Sequence, residues 1–146
     1  MSANIGYKGV FPVVPTIFFD NGDLDLESQR RAIDCMLDQE VDGVCILANY
    51  SEQFLLSDDE RDQLLDICLD HISGRIPVIV TCSHFSTRIV VERAIRATDK
   101  GASIIMLMPP YHGATLRADK DAIFNHFIKI SKNINIPIMV QDAPIS

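Results

Sequence analysis

Short apolar runs alternate with amphipathic stretches along the whole chain. The runs fall at residues 10–19, 44–47, 77–81, 103–108 and 137–141. Between them, apolar residues recur at three- and four-residue spacing, the period of a helix with one buried face. The pattern predicts helices over 26–39, 58–72, 86–100 and 120–132. Their inner faces are Ile33, Met36 and Leu37; then Leu64, Leu65, Cys68 and Ile72; then Val90, Val91, Ala94, Ile95 and Thr98; then Ile123, Phe124, Phe127 and Ile128. Helix ends are marked by Asp25 as a cap, by Ser57 with Glu60 as a capping box, and by Gly74 and Gly101.

The five apolar runs read as strands. Within 103–108, every residue after Ser103 is apolar, as in a strand buried on both faces. Residues 10–19 carry Pro12 and Pro15, so they predict a short strand with irregular ends or an edge strand. The order is then strand, helix, strand through five strands and four helices, at roughly 30 residues per unit. Such alternation predicts a parallel sheet with helical cover. An open doubly wound sheet fits it. So does the first part of an eight-stranded β/α barrel, which needs about 250 residues when whole. Neither G-x-G-x-x-G nor G-x-x-x-x-G-K-[ST] is present, so the phosphate-binding forms of the open sheet lose their signature. The periodicity leaves both architectures open.

The rest of the chain is organised around the stretch 45–56. Val44-Cys45-Ile46-Leu47 breaks into Ala48-Asn49-Tyr50-Ser51-Glu52, and a helix start follows at Ser57. A buried strand that opens into a polar turn and then a helix puts that turn at the strand's carboxyl end, where α/β folds bind ligands. Ser83 and His84, Tyr111 and His112, and Gln141 and Asp142 follow later strands in the same way.

Composition narrows the class. The chain has 146 residues, 47% hydrophobic and 23% charged, which suits one globular domain with a real core. Its net charge is −7 and it has no Lys/Arg stripe, which argues against nucleic acid as a partner. Cys35, Cys45, Cys68 and Cys82 form no C-x-x-C pair and read as buried free thiols of a reducing cytosol. No apolar run reaches the roughly 18 residues of a membrane span, and Met1-Ser2-Ala3-Asn4 is not a leader. The expectation is a soluble cytoplasmic protein with no membrane partner. No zinc spacing or calcium loop occurs, so no metal is expected.

Particular motifs carry a resemblance. Thr16-Ile17-Phe18, Ala48-Asn49-Tyr50-Ser51-Glu52, Gly74-Arg75-Ile76-Pro77-Val78-Ile79, Pro109-Pro110-Tyr111-His112 and Gln141-Asp142-Ala143-Pro144 occur in that order. Together they resemble the T-P-F, G-T-T-G-E, G-R-I-P-V-I, P-P-Y-Y and Y-N-V-P segments of the dihydrodipicolinate synthase / N-acetylneuraminate lyase family, over essentially the whole chain. The resemblance implies a partial (β/α)8 TIM barrel, about the first five strands and four helices. Residues 1–146 would be the amino-terminal part of a single barrel domain, ending before the sixth strand.

The family consists of class I lyases of 2-oxo acids, in which a lysine on the sixth strand forms a Schiff base. Lys8, Lys100, Lys120, Lys129 and Lys132 lie before the first strand or on helices, none at a strand exit. The resemblance therefore implies that this chain alone is inactive and that no cofactor is needed. It implies substrate contacts from Asn49, Tyr50, Ser51, Ser83, His84 and Asp142, and catalytic roles for Tyr111, His112 and Gln141.

Asn49, His112 and Gln141 stand where the synthases have a Thr-Tyr-Tyr proton relay. Of the three, only histidine exchanges protons near neutral pH. That departure favours a 2-keto-3-deoxy sugar acid dehydratase or aldolase over a true dihydrodipicolinate synthase. A homo-oligomer is expected, since open strand edges and barrel-interior side chains need cover. A second reading, from another class, is a non-catalytic α/β module that binds an anion or pairs with a subunit.

Overall fold

The structure is a computed structural model that describes residues 6–110 and 118–142. The chain divides into two compact units, Met1–Val80 and Thr81–Ser146.

In the first unit, helix α1 (Leu26–Asp38) precedes strand β1 (Val44–Ile46), a 3-10 turn at Asn49–Ser51, helix α2 (Asp58–Ile72) and strand β2 (Val78–Thr81), whose last residue opens the second unit. Each boundary has a local cause. The Asp25 carboxylate accepts the Ser28 N–H at 2.9 Å and starts α1. Ser57 and Glu60 close the predicted capping box: the Ser57 N–H donates to Glu60 Oε2 at 2.8 Å, and the Glu60 N–H to Ser57 Oγ at 3.3 Å. Ser73 (φ +49°) and Gly74 (φ +72°) turn left-handed and end α2.

Helix α2 buries Leu64, Leu65, Cys68 and Ile72 as its spacing predicts. The strands β1 and β2 pair in parallel, Val44 opposite Val78 and Ile46 opposite Val80. They start in close quarters. A Cβ at Gly43 would lie 2.1 Å from the Phe11 ring and 2.7 Å from the Pro77 carbonyl oxygen.

The first predicted strand does not form. Residues 10–19 make one parallel bridge, Val13 to Cys45, and one antiparallel bridge, Phe18 to Leu24. The Cys45 N–H donates to the Pro12 carbonyl and the Val14 N–H to the Cys45 carbonyl, both at 2.8 Å, and the ladder goes no further. Pro12, on the same face as the Val14 donor, lacks the N–H that would extend it toward the start of β1. Four strands form among the described residues where five were expected.

The second unit holds helix α3 (Thr87–Asp99), strand β3 (Ile104–Leu107), helix α4 (Lys120–Ser131) and strand β4 (Ile138–Val140). β3 and β4 pair in parallel, Ile105 opposite Ile138 and Leu107 opposite Val140. Every residue of β3 is buried. In β4, by contrast, Met139 and Val140 are exposed.

Two helix faces, those of α3 and α4, are rotated from the predicted ones, while α1 keeps its predicted Ile33 at the core. The α3 stripe is Val90, Ala94 and Ala97, leaving Ile95 exposed one residue, or about 100°, round the helix. In α4 the buried residues are His126 and Ile130, while Phe124 is 64% exposed. In α1 the buried pair is Gln29 and Ile33, and Cys35 is exposed rather than buried. Among the described residues no helix is long and apolar enough to cross a membrane.

Candidate active site

In the first unit the centre is the turn after β1. Two residues in left-handed backbone bracket it, Leu47 (φ +55°) and Glu52 (φ +58°). A buried leucine there is an uncommon arrangement that its surroundings must enforce. The enforcing contacts come largely from side chains. The Ser51 hydroxyl donates to the Val14 carbonyl at 2.6 Å and accepts the Ala48 N–H at 3.2 Å. The Thr16 hydroxyl donates to the Ser51 carbonyl at 2.6 Å. From α1, Gln29 donates its amide to the Pro15 carbonyl and accepts the Ile17 N–H, both at 3.0 Å. Gln53 donates to Asn49 Oδ1 at 2.8 Å.

The three residues the sequence offers at this turn therefore differ. Tyr50 is 86% exposed and Asn49 is exposed, whereas Ser51 is 2% exposed with its hydroxyl bonded on both sides. A void of about 10 Å³ beneath the turn, lined in part by Thr16, Gln29, Ser51 and Cys68, is no larger than a water needs. Burial pushes the Cys68 thiol up to about 12, so it stays protonated and inert.

In the second unit, the exit of β2 continues as Cys82-Ser83-His84-Phe85. The buried Ser83 hydroxyl accepts the Met108 N–H at 2.9 Å, and its carbonyl accepts from Arg93 Nη1 at 3.1 Å. Ser83 thus joins this loop to the end of β3. His84 is half-buried, and its Nδ1 accepts the Ser86 N–H at 2.9 Å at the start of α3. With Nδ1 occupied as an acceptor, the neutral ring carries its proton on Nε2.

The Gln141 N–H donates to the Leu107 carbonyl at 2.8 Å, holding the exit of β4 to that of β3. Its side-chain oxygen is buried without a hydrogen-bond partner among the described residues. Asp142 is exposed. Tyr111 and His112 lie outside the described residues.

His126, on α4, is 2% exposed with Nδ1 2.9 Å from the Thr87 hydroxyl, and burial holds its pKa below the ordinary histidine value. His71 Nε2 meets Asp34 Oδ1 at 2.7 Å and ties α2 to α1. Neither stands at a strand exit. Among the described residues no three His, Cys, Asp or Glu side chains gather as a metal site would require.

Sequence reasoning missed Gln29 and Gln53. Gln29 had a signal: it falls on the buried stripe of α1, four residues before Ile33. A polar residue on an apolar stripe is the one to query.

Parallel strands with helical crossovers and polar residues at strand exits define an α/β protein built like part of a barrel. The chain belongs to the dihydrodipicolinate synthetase family, which it matches over residues 6–145. It is 56% identical over 140 residues to the L-2-keto-3-deoxyarabonate dehydratase of Azospirillum brasilense, covering 96% of this chain and 45% of that one.

Among solved structures it resembles a dihydrodipicolinate synthase with a TM-score of 0.87 at 26% identity, covering 94% of this chain and 46% of the other. It also resembles a prophage protein of the dihydrodipicolinic acid synthase family from E. coli K12, solved in complex with pyruvate. There the TM-score is 0.85 at 26% identity, covering 92% of this chain and 44% of the other. The chain thus spans less than half the length of these relatives and corresponds to a partial barrel.

Proposed function

We propose that this chain belongs to a Schiff-base lyase that dehydrates a 2-keto-3-deoxy sugar acid, and that it carries the substrate-recognition part of that enzyme. The observation that supports this most is the 56% identity to L-2-keto-3-deoxyarabonate dehydratase over 96% of the chain. The relay positions support it too. Asn49 and Gln141 offer amides to substrate hydroxyls and leave His112 as the proton carrier.

In this reading a lysine outside these residues attacks the keto carbon, and water leaves to give an iminium. The iminium acidifies the neighbouring C–H bond. Loss of that proton gives an enamine, which expels the hydroxyl one carbon further on as water. The imine is the electron sink, so the scheme calls for no cofactor. The turn at Asn49–Ser51 meets the substrate carboxylate, chiefly through Tyr50 and its peptide groups. Tyr111, His112 and Gln141 shape the reacting end. Ser83, His84 and Asp142 also serve substrate binding in this reading, Ser83 mainly by fixing the loop. We place the enzyme in the cytoplasm as a homo-oligomer, residues 1–146 forming the amino-terminal part of a single barrel domain.

The test is borohydride trapping with pyruvate, read by mass spectrometry, on this chain alone and on the natural protein encoded by the continuous reading frame. The expected result is an adduct only in the latter, on a lysine absent from residues 1–146. An adduct on the short chain overturns the assignment of the nucleophile. No adduct on either, with binding of small carboxylates retained, favours the non-catalytic module.

A further inference from the structure

A buried hydrogen-bond network lies beneath the Asn49–Ser51 turn. Thr16 and Ser51 bond to each other's backbone segments in opposite directions. The Thr16 hydroxyl donates to the Ser51 carbonyl, and the Ser51 hydroxyl donates to the Val14 carbonyl, each at 2.6 Å. Of the segment 14–17, only the Val14 N–H joins a ladder, donating to the Cys45 carbonyl, and Pro15 has no N–H to give. Gln29, 2% exposed, takes over by gripping Pro15 and Ile17 on either side of Thr16. Ser51 also holds the Ala48 N–H, directly after the left-handed Leu47. The roughly 10 Å³ left among these groups admits no substrate.

We propose that Thr16 and Ser51 form a buried reciprocal latch, anchored on Gln29, that sets the position of the ligand-facing turn while neither hydroxyl touches ligand. They are positioning residues. The part of this inference that concerns affinity rests on the proposed lyase reading. It removes Ser51 from the direct substrate contacts and assigns recognition to the exposed side of the turn, where Tyr50 stands. A turn held in an uncommon backbone conformation largely by side chains shifts when one hydroxyl goes, and a small shift is enough to misplace a bound carboxylate.

The test uses the natural full-length protein with Ser51→Ala, Thr16→Val, the double variant and Ser51→Thr, each checked for folding by circular dichroism. Pyruvate is titrated in borohydride trapping, and amide exchange is followed at Ala48. The latch predicts that Ser51→Ala and Thr16→Val each raise the half-saturating pyruvate concentration by about tenfold. The trapping rate at saturation stays unchanged, the double variant is little worse than either single one, and Ser51→Thr restores binding.

A direct substrate contact from Ser51 predicts instead that Thr16→Val has no effect, and that result overturns the proposal. Should the parent protein trap no pyruvate, the lyase reading fails, and the latch is judged by exchange alone. Thr16→Val must then speed exchange at Ala48 as Ser51→Ala does. Unchanged protection at Ala48 in Thr16→Val overturns it.

Discussion

Nδ1 of His126 lies 2.9 Å from Oγ1 of Thr87, a hydrogen bond that ties the middle of α4 to the first residue of α3. Nε2 of the same ring is buried with no partner among the described residues. A ring so placed is comfortable neutral and costly when charged.

Acid should therefore loosen this unit. Burial lowers the folded pKa of His126 below its unfolded value. Above the unfolded value both states are neutral there and the group costs nothing. As the pH falls through the unfolded value toward the folded one, the unfolded chain takes up the proton first and stability drops. Urea unfolding at pH 7.5 and 5.5 should show a loss in the parent chain. His126→Leu should flatten that loss. An unchanged acid slope in the variant would contradict the assignment.

Gln29 should matter more than any surface amide. Gln29→Leu strands the Pro15 carbonyl and the Ile17 N–H, at about 1–3 kcal/mol each. A total loss of about 2–6 kcal/mol is expected in urea unfolding. Gln39→Ala, at the exposed end of α1, should stay within about 0.5 kcal/mol. Equal effects would mean that the amide bonds beneath the turn contribute little.

On α4 the expected ranking inverts what apolar character alone suggests. Ile130 is 0% exposed and Phe124 64%. Ile130→Ala should cost about 2–5 kcal/mol by opening a cavity. Phe124→Ser should change stability by no more than about 0.5 kcal/mol. Thermal melting of the two variants decides it.

The thiols should react in an order set by access. Cys35 is exposed, while Cys45, Cys68 and Cys82 are buried. A disulfide reagent near neutral pH should label Cys35 promptly and the other three only on unfolding, Cys68 being further protected by its raised pKa of about 12. Peptide mapping by mass spectrometry reads the order. Early modification of Cys68 would mean that the α2 face opens readily.

Much of the architecture was legible in residue order alone. Helix α2 starts and ends where Ser57, Glu60 and Gly74 indicate, because capping is a short-range effect of neighbouring residues on orphan backbone groups. The apolar run at β3 predicts a fully buried strand because only burial on both faces suits four consecutive apolar side chains. The strand-exit turn at Asn49–Ser51 was visible for the same local reasons.

What residue order left undecided lies where distant segments meet. Whether residues 10–19 join a ladder depends on which donors face Cys45. Which stripe of α3 or α4 turns inward depends on the helix packed against it: Ala94 and Ala97 lie inward where Ile95 does not. The role of Ser51 was also hidden, since its hydroxyl bonds to Val14, far away in the chain.

The sequence by itself determined the alternation of strands and helices, their caps, the location of the polar strand exits and the family. Those depend on composition and spacing over a few residues. Only the tertiary structure decided which polar side chains face outward and which are spent holding the backbone. A hydroxyl's partner is set by what long-range packing brings within about 3 Å of it, and no local pattern encodes that.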